Sequence, residues 1–468
     1  MSELKTSPAI SRLEELLDEH SFVELGAMVT ARATDFNLSE NKAESDGVVI
    51  GHGLIDGNLV FVYSQDSSVL GGTIGEMHAK KIMSVYDMAI KMGAPVIGLV
   101  DCGGVRLQES MDALESVGAI YAKATEASGV VPQIVAVLGN CGGGLSVLPG
   151  LSDFTFMTKE AKLFVNTPDT IEGNRTEVLD TSSADFQLNE AGNVDFVGDE
   201  SEVFDAIRKL VCILPGSNVE EGCVEECLDD LNRASEGLEN KVSDAAAFAT
   251  ELSDGRVLFE SKPGFAQEMF TGFIKLNGIT VGVVGNSNVN DEDSNVLTAD
   301  GCAKAADFIN FCDAFDIPLL TLTNVDGYDA SVYGEYHLIK SLAKMTSALA
   351  EASVPKINFI TKDALGSAYV AMNSKSLGAD LVFAFADTKI AAMEADSAAK
   401  IIYADENVDF AEKAAEYEAT NCGVNNAARR GYVDRIVNPA DCRKYLIASF
   451  EMLFTKRVEG PYKKHGSK

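Results

Sequence analysis

The apolar positions along this chain follow two periods in turn. Residues 9–19 put Ile10, Leu13, Leu16 and Leu17 on one helical stripe. From Gly51 the run GHGLIDGNLVFVYSQD sets two apolar stretches on either side of Asp56-Gly57, which predicts a hairpin. A helix over about residues 75–92 follows, and then PVIGLVDCGG (95–104). That continuous apolar run predicts a buried strand ending in a glycine turn. A helix at about 110–128, a second buried strand QIVAVLG (133–139) and a second glycine turn come next. Strands alternating with helices imply parallel βαβ units. Residues 35–46 are polar and predict a loop.

The pattern then repeats. Residues 216–244 are rich in Glu, Asp, Gly and Ser and read as a linker with a little helix. After it, GFIKLNGITVGVVGN (272–286) restates the hairpin, with Asn277-Gly278 at its tip. Pro95 and Pro318 are 223 apart (318 minus 95), as are Pro132 and Pro355, Lys81 and Lys304, and Gly104 and Gly327. A constant offset over such a length means an internal duplication, hence two related domains rather than a solenoid. The expected organisation is a first domain over 1–215, an acidic linker over 216–244 and a second domain over 245–468.

Composition narrows the function classes. The formal net charge of −33 argues against nucleic acid and anionic membrane surfaces as partners. No run of 18 apolar residues is present and the first residues do not read as a signal peptide, so a cytoplasmic protein without direct membrane insertion is expected. The nine cysteines are odd in number and scattered; Cys223 and Cys227 are the nearest pair, and no CxxC occurs. Neither a disulfide framework nor a metal site is expected.

Candidate chemistry sits on the two turns. One is Cys102-Gly103-Gly104-Val105-Arg106; the other is Asn140-Cys141-Gly142-Gly143-Gly144. Each follows an apolar strand and precedes a helix. Glycine lets backbone approach a ligand, and free N–H groups can hold a developing oxyanion, as enolate chemistry at a thioester requires. The alternative is that the glycines serve only tight turns and packing. No Gly-x-Gly-x-x-Gly, GxxxxGK[ST], GxSxG or HExxH motif is present. The five histidines are His20, His52, His78, His337 and His465; His52 and His78 read as structural.

These stretches resemble the carboxyltransferase subunits of biotin-dependent acyl-CoA carboxylases and decarboxylases, the family of the propionyl-CoA carboxylase beta subunit and the methylmalonyl-CoA and glutaconyl-CoA decarboxylase alpha subunits. The resemblance rests on RLEELLDEHSFVEL (12–25), SQDSSVLGGTIGEMHAKKI (64–82), GAPVIGLVDCGGVRLQES (93–110), ASGVVPQI (127–134) and GNCGGGLSVLPGLSDFTFM (139–157). In the second half it rests on TGFIKLNGITVGVVGN (271–286), ADGCAKAADFINFCDAFDIPLL (299–320) and ASVPKINFITKDALGSAYVAM (352–372). It covers nearly the whole chain. It implies an α/β fold of two crotonase-like domains in tandem, the first on the acyl-CoA side and the second on the biotin side.

The resemblance also implies a mechanism. Biotin on a separate carrier protein exchanges CO2 with the alpha-carbon of an acyl-CoA, and two backbone oxyanion holes do the electrostatic work. The thioester hole falls on Gly143 and Gly144, and the hole for the biotin ureido oxygen on Gly366, Ser367 and Ala368. Gly366 is again 223 residues beyond Gly143 (366 minus 143). Gly103, Gly104, Arg106 and Gly142 are the expected CoA-side contacts. Arg106 has two further readings, fixing the Gly103–Gly104 loop or making a buried ion pair. Lys80 and Lys81 are alternative phosphate contacts or merely solvated or capping. The implied partners are a biotin carboxyl carrier protein, a biotin carboxylase or membrane decarboxylase subunits, and further copies of the chain as a dimer or hexamer.

The second half departs from the family pattern. Where the family carries Pro-Gly-Phe-x-Pro-Gly, this chain has VDGYDASVYGEY (325–336), and the usual Gly-Gly-Ala is Gly366-Ser367-Ala368. Two other family stretches are replaced by EADS (394–397) and TSSADFQLNEAGNVD (181–195). These departures leave open a non-catalytic assembly paralogue and a crotonase-type enzyme working without biotin. For the latter Glu109 and Glu115 are the nearby acids, both expected at the surface.

Overall fold

The computed structural model describes residues 7–32, 45–220, 227–288 and 295–458. Most of the loop expected at 35–46, Cys223 and His465 lie outside the described residues. The chain divides into two compact units, Met1–Glu221 with Lys262–Phe265, and Gly222–Ser261 with Ala266–Lys468. Residues 227–244 pack on the second unit: Leu238 is fully buried in its core, and Arg233 donates to the Glu251 and Ser253 carbonyl oxygens.

The first unit is built on a seven-stranded sheet ordered Val23–Leu25, Val48–Ile55, Asn58–Gln65, Val96–Val100, Gln133–Val137, Phe154–Thr158, Phe196–Gly198. The first three strands are antiparallel and the rest parallel. Every residue of Val96–Val100 and of Gln133–Val137 is buried, which is why both read as unbroken apolar runs. The hairpin tip has positive φ at both central residues, 47° at Asp56 and 83° at Gly57, the geometry that suits the twist of the strands.

Helix Glu76–Met92 buries His78, Ala79, Ile82, Val85, Tyr86 and Ala89, a stripe at helical spacing. It ends on Gly93 in the left-handed region, as helix ends commonly do. Helix Met111–Ala127 buries Ala113, Val117, Ile120 and Ala124 in the same way.

The second unit repeats this design. Its main sheet runs Leu258–Glu260, Met269–Leu276, Ile279–Asn286, Leu319–Val325, Lys356–Leu365, Leu381–Ala384, Arg435–Ile436. The duplication reaches individual bonds. Asp101 N–H donates to Gln65 Oε1 at 3.2 Å, and Asn324 N–H donates to Asn286 Oδ1 at 3.3 Å. The bridge Ile74↔Val105 recurs as Leu297↔Tyr328, and Lys162↔Ser183 recurs as Lys389↔Gly423. The hairpin offset is 221 (277 minus 56), so two residues separate it from the later offset of 223 (327 minus 104).

One carboxylate of a repeated pair has different neighbours in the two copies. In the first unit Asp153 Oδ2 accepts Gln133 N–H at 2.8 Å, and Asp195 Oδ2 accepts Thr155 N–H at 2.8 Å. In the second, Asp380 accepts Lys356 N–H at 2.8 Å and Asp434 accepts Val382 N–H at 2.7 Å. There Lys456 stands 2.8 Å from Asp380, and Lys375 stands 2.7 Å from Asp434. Among the described residues no lysine pairs with Asp153. Burial pushes its carboxyl up to about 7, outweighing the Gln133 N–H, and the Asp195 charge adds to the rise.

A carboxyl whose folded pKa lies above its unfolded value holds its proton while the unfolded chain loses it. Stability therefore falls as pH rises from about 4 to about 7, and then levels. Asp153→Asn keeps an acceptor for Gln133 without the charge. The variant should be more stable than the parent above pH 7, by roughly 4 kcal/mol at most, with a flatter midpoint-versus-pH curve between about 4 and 7. Thermal unfolding across that range checks this; parallel curves for the two proteins would refute it.

Candidate active site

The two glycine turns of the first unit stand side by side because the strands before them are neighbours in the sheet. Leu138 N–H donates to the Val100 carbonyl at 2.9 Å, and Cys102 N–H donates to the Asn140 carbonyl at 2.8 Å. The strand pairing thus continues past the strand ends into the turns. On the first turn Gly103 N–H is taken up by the Gly71 carbonyl at 2.9 Å, and Gly104 N–H meets Cys102 Sγ at 3.3 Å.

On the second turn, Gly142 is a packing residue, since a Cβ there would lie 2.5 Å from the Phe164 ring. Gly143 differs. Its φ is +62°, and a Cβ built on it would meet nothing within 4 Å. The glycine is required by conformation, and the face it presents is open. Both peptide planes here are held from outside the strand. Ser146 Oγ donates to the Gly143 carbonyl at 2.7 Å, and the Tyr121 hydroxyl donates to the Gly144 carbonyl.

In the second unit Gly366 repeats this geometry, with φ +62° and the Ala392 carbonyl, at 3.5 Å, as the nearest atom to a built Cβ. Gly366, Ser367 and Ala368 open the short helix Gly366–Ala371. Ala368 is buried and Ser367 is exposed. Ser367 does not take a positive φ, so the turn accommodates its side chain without strain. Its Oγ accepts a hydrogen bond from the Tyr328 hydroxyl at 2.9 Å.

Arg106 is almost wholly buried, at 1% exposure. Its guanidinium donates to Asp46 Oδ1 at 2.5 Å, to Glu109 Oε1 at 2.9 Å and to the Thr73 carbonyl at 2.7 Å. Of the three roles open to it, the geometry displays the buried ion pair that pins the turn. Glu109 was expected at the surface and is buried: it faces Arg106 and accepts Glu76 N–H at 2.7 Å at the start of helix Glu76–Met92. A carboxylate so occupied is not poised as a free base. Glu115 is exposed.

Asp46 is the site residue that sequence reading missed, because it stands at the end of a polar stretch. It is fully buried, with φ 53°, and it accepts His78 N–H at 2.8 Å. Burial raises its carboxyl above the usual range despite the Arg106 charge. His78 is buried against Gln65 and the Asp46 carbonyl, and burial pushes its imidazole down to about 3. Lys81 is buried too, bonded to the Ser45 and Val48 carbonyls, whereas Lys80 is exposed and paired with Glu76 at 2.7 Å. Among the described residues no three His, Cys, Asp or Glu side chains are grouped to hold a metal. None of their helices is long and apolar enough to cross a membrane.

Comparison with known proteins gives the context for this geometry. The carboxyl transferase domain family matches residues 6–467. The methylmalonyl-CoA decarboxylase alpha subunit of Propionigenium modestum is 39% identical, over 98% of this chain and 92% of that protein. The propionyl-CoA carboxylase beta chain of Roseobacter denitrificans is 40% identical over the same shares of the two chains. Among solved structures, transcarboxylase 12S with hydrolysed methylmalonyl-coenzyme A bound superimposes with a TM-score of 0.92 at 36% identity, over 98% of this chain and 92% of that one. That protein is described as a hexamer. The tandem crotonase-like α/β fold is therefore present here, and this chain belongs to the carboxyl transferase family of biotin-dependent acyl-CoA carboxylases and decarboxylases.

Proposed function

We propose that this chain moves a carboxyl group between biotin, carried on a separate protein, and the alpha-carbon of a short acyl-CoA. The observation that carries this reading is the recurrence of one backbone geometry at Gly143 and Gly366, each with φ +62°: a Cβ would meet nothing within 4 Å at Gly143, and only the Ala392 carbonyl, at 3.5 Å, at Gly366. A glycine kept in a strained-for-others conformation next to open space is what an oxyanion-binding turn needs. In the first unit the N–H groups of Gly143 and Gly144 would face the thioester oxygen as negative charge grows on it. Ser146 holds the peptide plane that carries the Gly144 N–H, and Tyr121 holds the plane that follows it. Donors fixed in advance stabilise the enolate without reorganising during the reaction.

In the second unit the residues present fit a cyclic urea. The Ala392 carbonyl is the one atom near a Cβ built on Gly366, the turn's backbone carries donors, and Ser367 adds a hydroxyl on the exposed side. Biotin bound there would supply the ring that carries CO2, while Gly366, Ser367 and Ala368 would hold its ureido oxygen. The fitted serine weighs against a decayed site and hence against a non-catalytic paralogue.

Further copies of the chain belong to this reading. Val332, Tyr336 and Ile339 lie 75%, 80% and 74% exposed along helix Val332–Glu351, an apolar face that association would cover. A dimer or hexamer in the cytoplasm, served by a biotin carboxyl carrier protein and by a biotin carboxylase or membrane decarboxylase subunits, is the assembly we infer.

The test is carboxyl transfer with free biotin and malonyl-CoA, methylmalonyl-CoA or glutaconyl-CoA. Biotin-dependent turnover of one of them is expected. Gly143→Val and Gly366→Val should each lower it by about 10²–10³, the usual effect of losing an oxyanion donor. No turnover of any ester, with no acyl-CoA binding by calorimetry, would leave the assembly paralogue as the better account.

Arg106→Met separates the two roles proposed for that residue. It strands Asp46 and Glu109 without their cation, so urea unfolding should show a loss of about 3–5 kcal/mol. Unchanged stability with weakened CoA binding would instead assign Arg106 to the ligand.

Light scattering on the purified chain should give the mass of a dimer or a hexamer. A monomer at micromolar concentration would refute the assembly.

A further inference from the structure

We propose that Ser367 is a ligand-binding residue of the second-unit turn, with Tyr328 as its positioning residue: the Ser367 hydroxyl donates its proton to the urea oxygen held by Gly366–Ala368. This rests on reading that turn as the biotin side.

Two departures from the family pattern meet here. Ser367 stands where the resemblance implies glycine, and Tyr328 lies in the segment VDGYDASVYGEY (325–336), where it implies Pro-Gly-Phe-x-Pro-Gly. They are 39 residues apart in the chain, yet Tyr328 Oη lies 2.9 Å from Ser367 Oγ. Independent decay of two positions gives no reason for such a contact.

Strand pairing sets the tyrosine in place. Tyr328 is bridged to Leu297, as Val105 is bridged to Ile74 in the first unit, and a valine there has no hydroxyl to offer.

The direction of the bond decides the chemistry. A phenol is the more acidic hydroxyl and donates to the serine oxygen. The serine proton is then free to go outward. Ser367 is exposed, and it does not cap its helix: Leu365 holds the cap position and no side chain bonds the first turn. The common structural use of a serine at a helix start is therefore absent.

The first unit is more crowded at this point. A Cβ on Gly144, the counterpart of Ser367, would lie 3.2 Å from Tyr121 Oη. The position equivalent to Tyr121 in the second unit is Lys344, which is exposed. The added hydroxyl thus distinguishes the two turns, and a neutral urea oxygen, a pure acceptor, is matched by one more donor.

Direct binding to the full chain tests this. Free biotin and imidazolidone, the bare cyclic urea, would be titrated by ligand-observed NMR, and methylmalonyl-CoA by calorimetry. Ser367→Ala, Ser367→Gly and Tyr328→Phe should each weaken both urea probes by roughly five- to tenfold, the effect of one hydrogen bond. The double variant Ser367→Ala with Tyr328→Phe should be no worse than Ser367→Ala, because the tyrosine acts through the serine. Methylmalonyl-CoA affinity should stay constant throughout. Wild-type affinity for the ureas in Ser367→Ala overturns the proposal while leaving the biotin-side reading intact. A wild-type chain that binds methylmalonyl-CoA but neither urea overturns both. Parallel losses for urea and ester would mark a structural defect and would also overturn it.

Discussion

The candidate site depends on parallel strand pairing that does not stop where the strands stop. Cys102 N–H reaches the Asn140 carbonyl at 2.8 Å, beyond the last paired residues Val100 and Val137. That bond carries the sheet's spacing into the two glycine turns. The strands themselves are held by burial on both faces, so the turns inherit the rigidity of the core. A backbone site needs this more than a side-chain site does. An N–H group cannot change rotamer to find its ligand; the peptide plane must already be right. Ser146 bonds to the Gly143 carbonyl, which fixes the plane on which the Gly144 N–H lies, and Tyr121 bonds to the Gly144 carbonyl, the next plane along the turn.

How the first turn is anchored shows the energetic side of the same constraint. Arg106, Asp46 and Glu109 are all buried, which is unfavourable unless each charge is matched. Here one guanidinium meets two carboxylates and the Thr73 carbonyl, while each carboxylate also takes a backbone N–H, from His78 or Glu76. The cluster joins residues 46, 73, 76, 78, 106 and 109, so it ties the segment before the first sheet hairpin to the helix and turn that follow. Three consecutive residues, Ser45, Asp46 and Gly47, have positive φ, a conformation that only such fixed partners sustain.

What was legible in the sequence follows from how local each signal is. The buried strands, the helix Glu76–Met92 and the hairpin tips were readable because apolar period and turn residues act within a few positions. The duplication was readable because it needs only subtraction. Gly143 and Gly366 could be singled out as glycines after strands, but their shared φ could not be seen without coordinates. Asp46 and Glu109 were misplaced for a common reason: a charged residue beside polar neighbours reads as solvated unless its partner is known. The partner of both is Arg106, which is 60 residues from Asp46. No periodicity encodes a bond of that span.

The duplication also explains why the two units need not do the same thing. Each inherits the same scaffold, down to the hydrogen bonds Asp101 to Gln65 and Asn324 to Asn286. Differences then fall where the scaffold leaves side chains free. Asp380 and Asp434 are paired with lysines, whereas among the described residues no lysine pairs with Asp153. Likewise the turn at Gly143 is braced by a tyrosine on its carbonyl, while the turn at Gly366 is braced by a tyrosine on a serine side chain. A brace on a carbonyl crowds the space a side chain would need: a Cβ on Gly144 would lie 3.2 Å from Tyr121 Oη. A brace on a side chain requires that the side chain exist, and in the second turn Ser367 supplies it. Ser367 and Tyr328 thus stand together in the fold although 39 residues separate them in the chain.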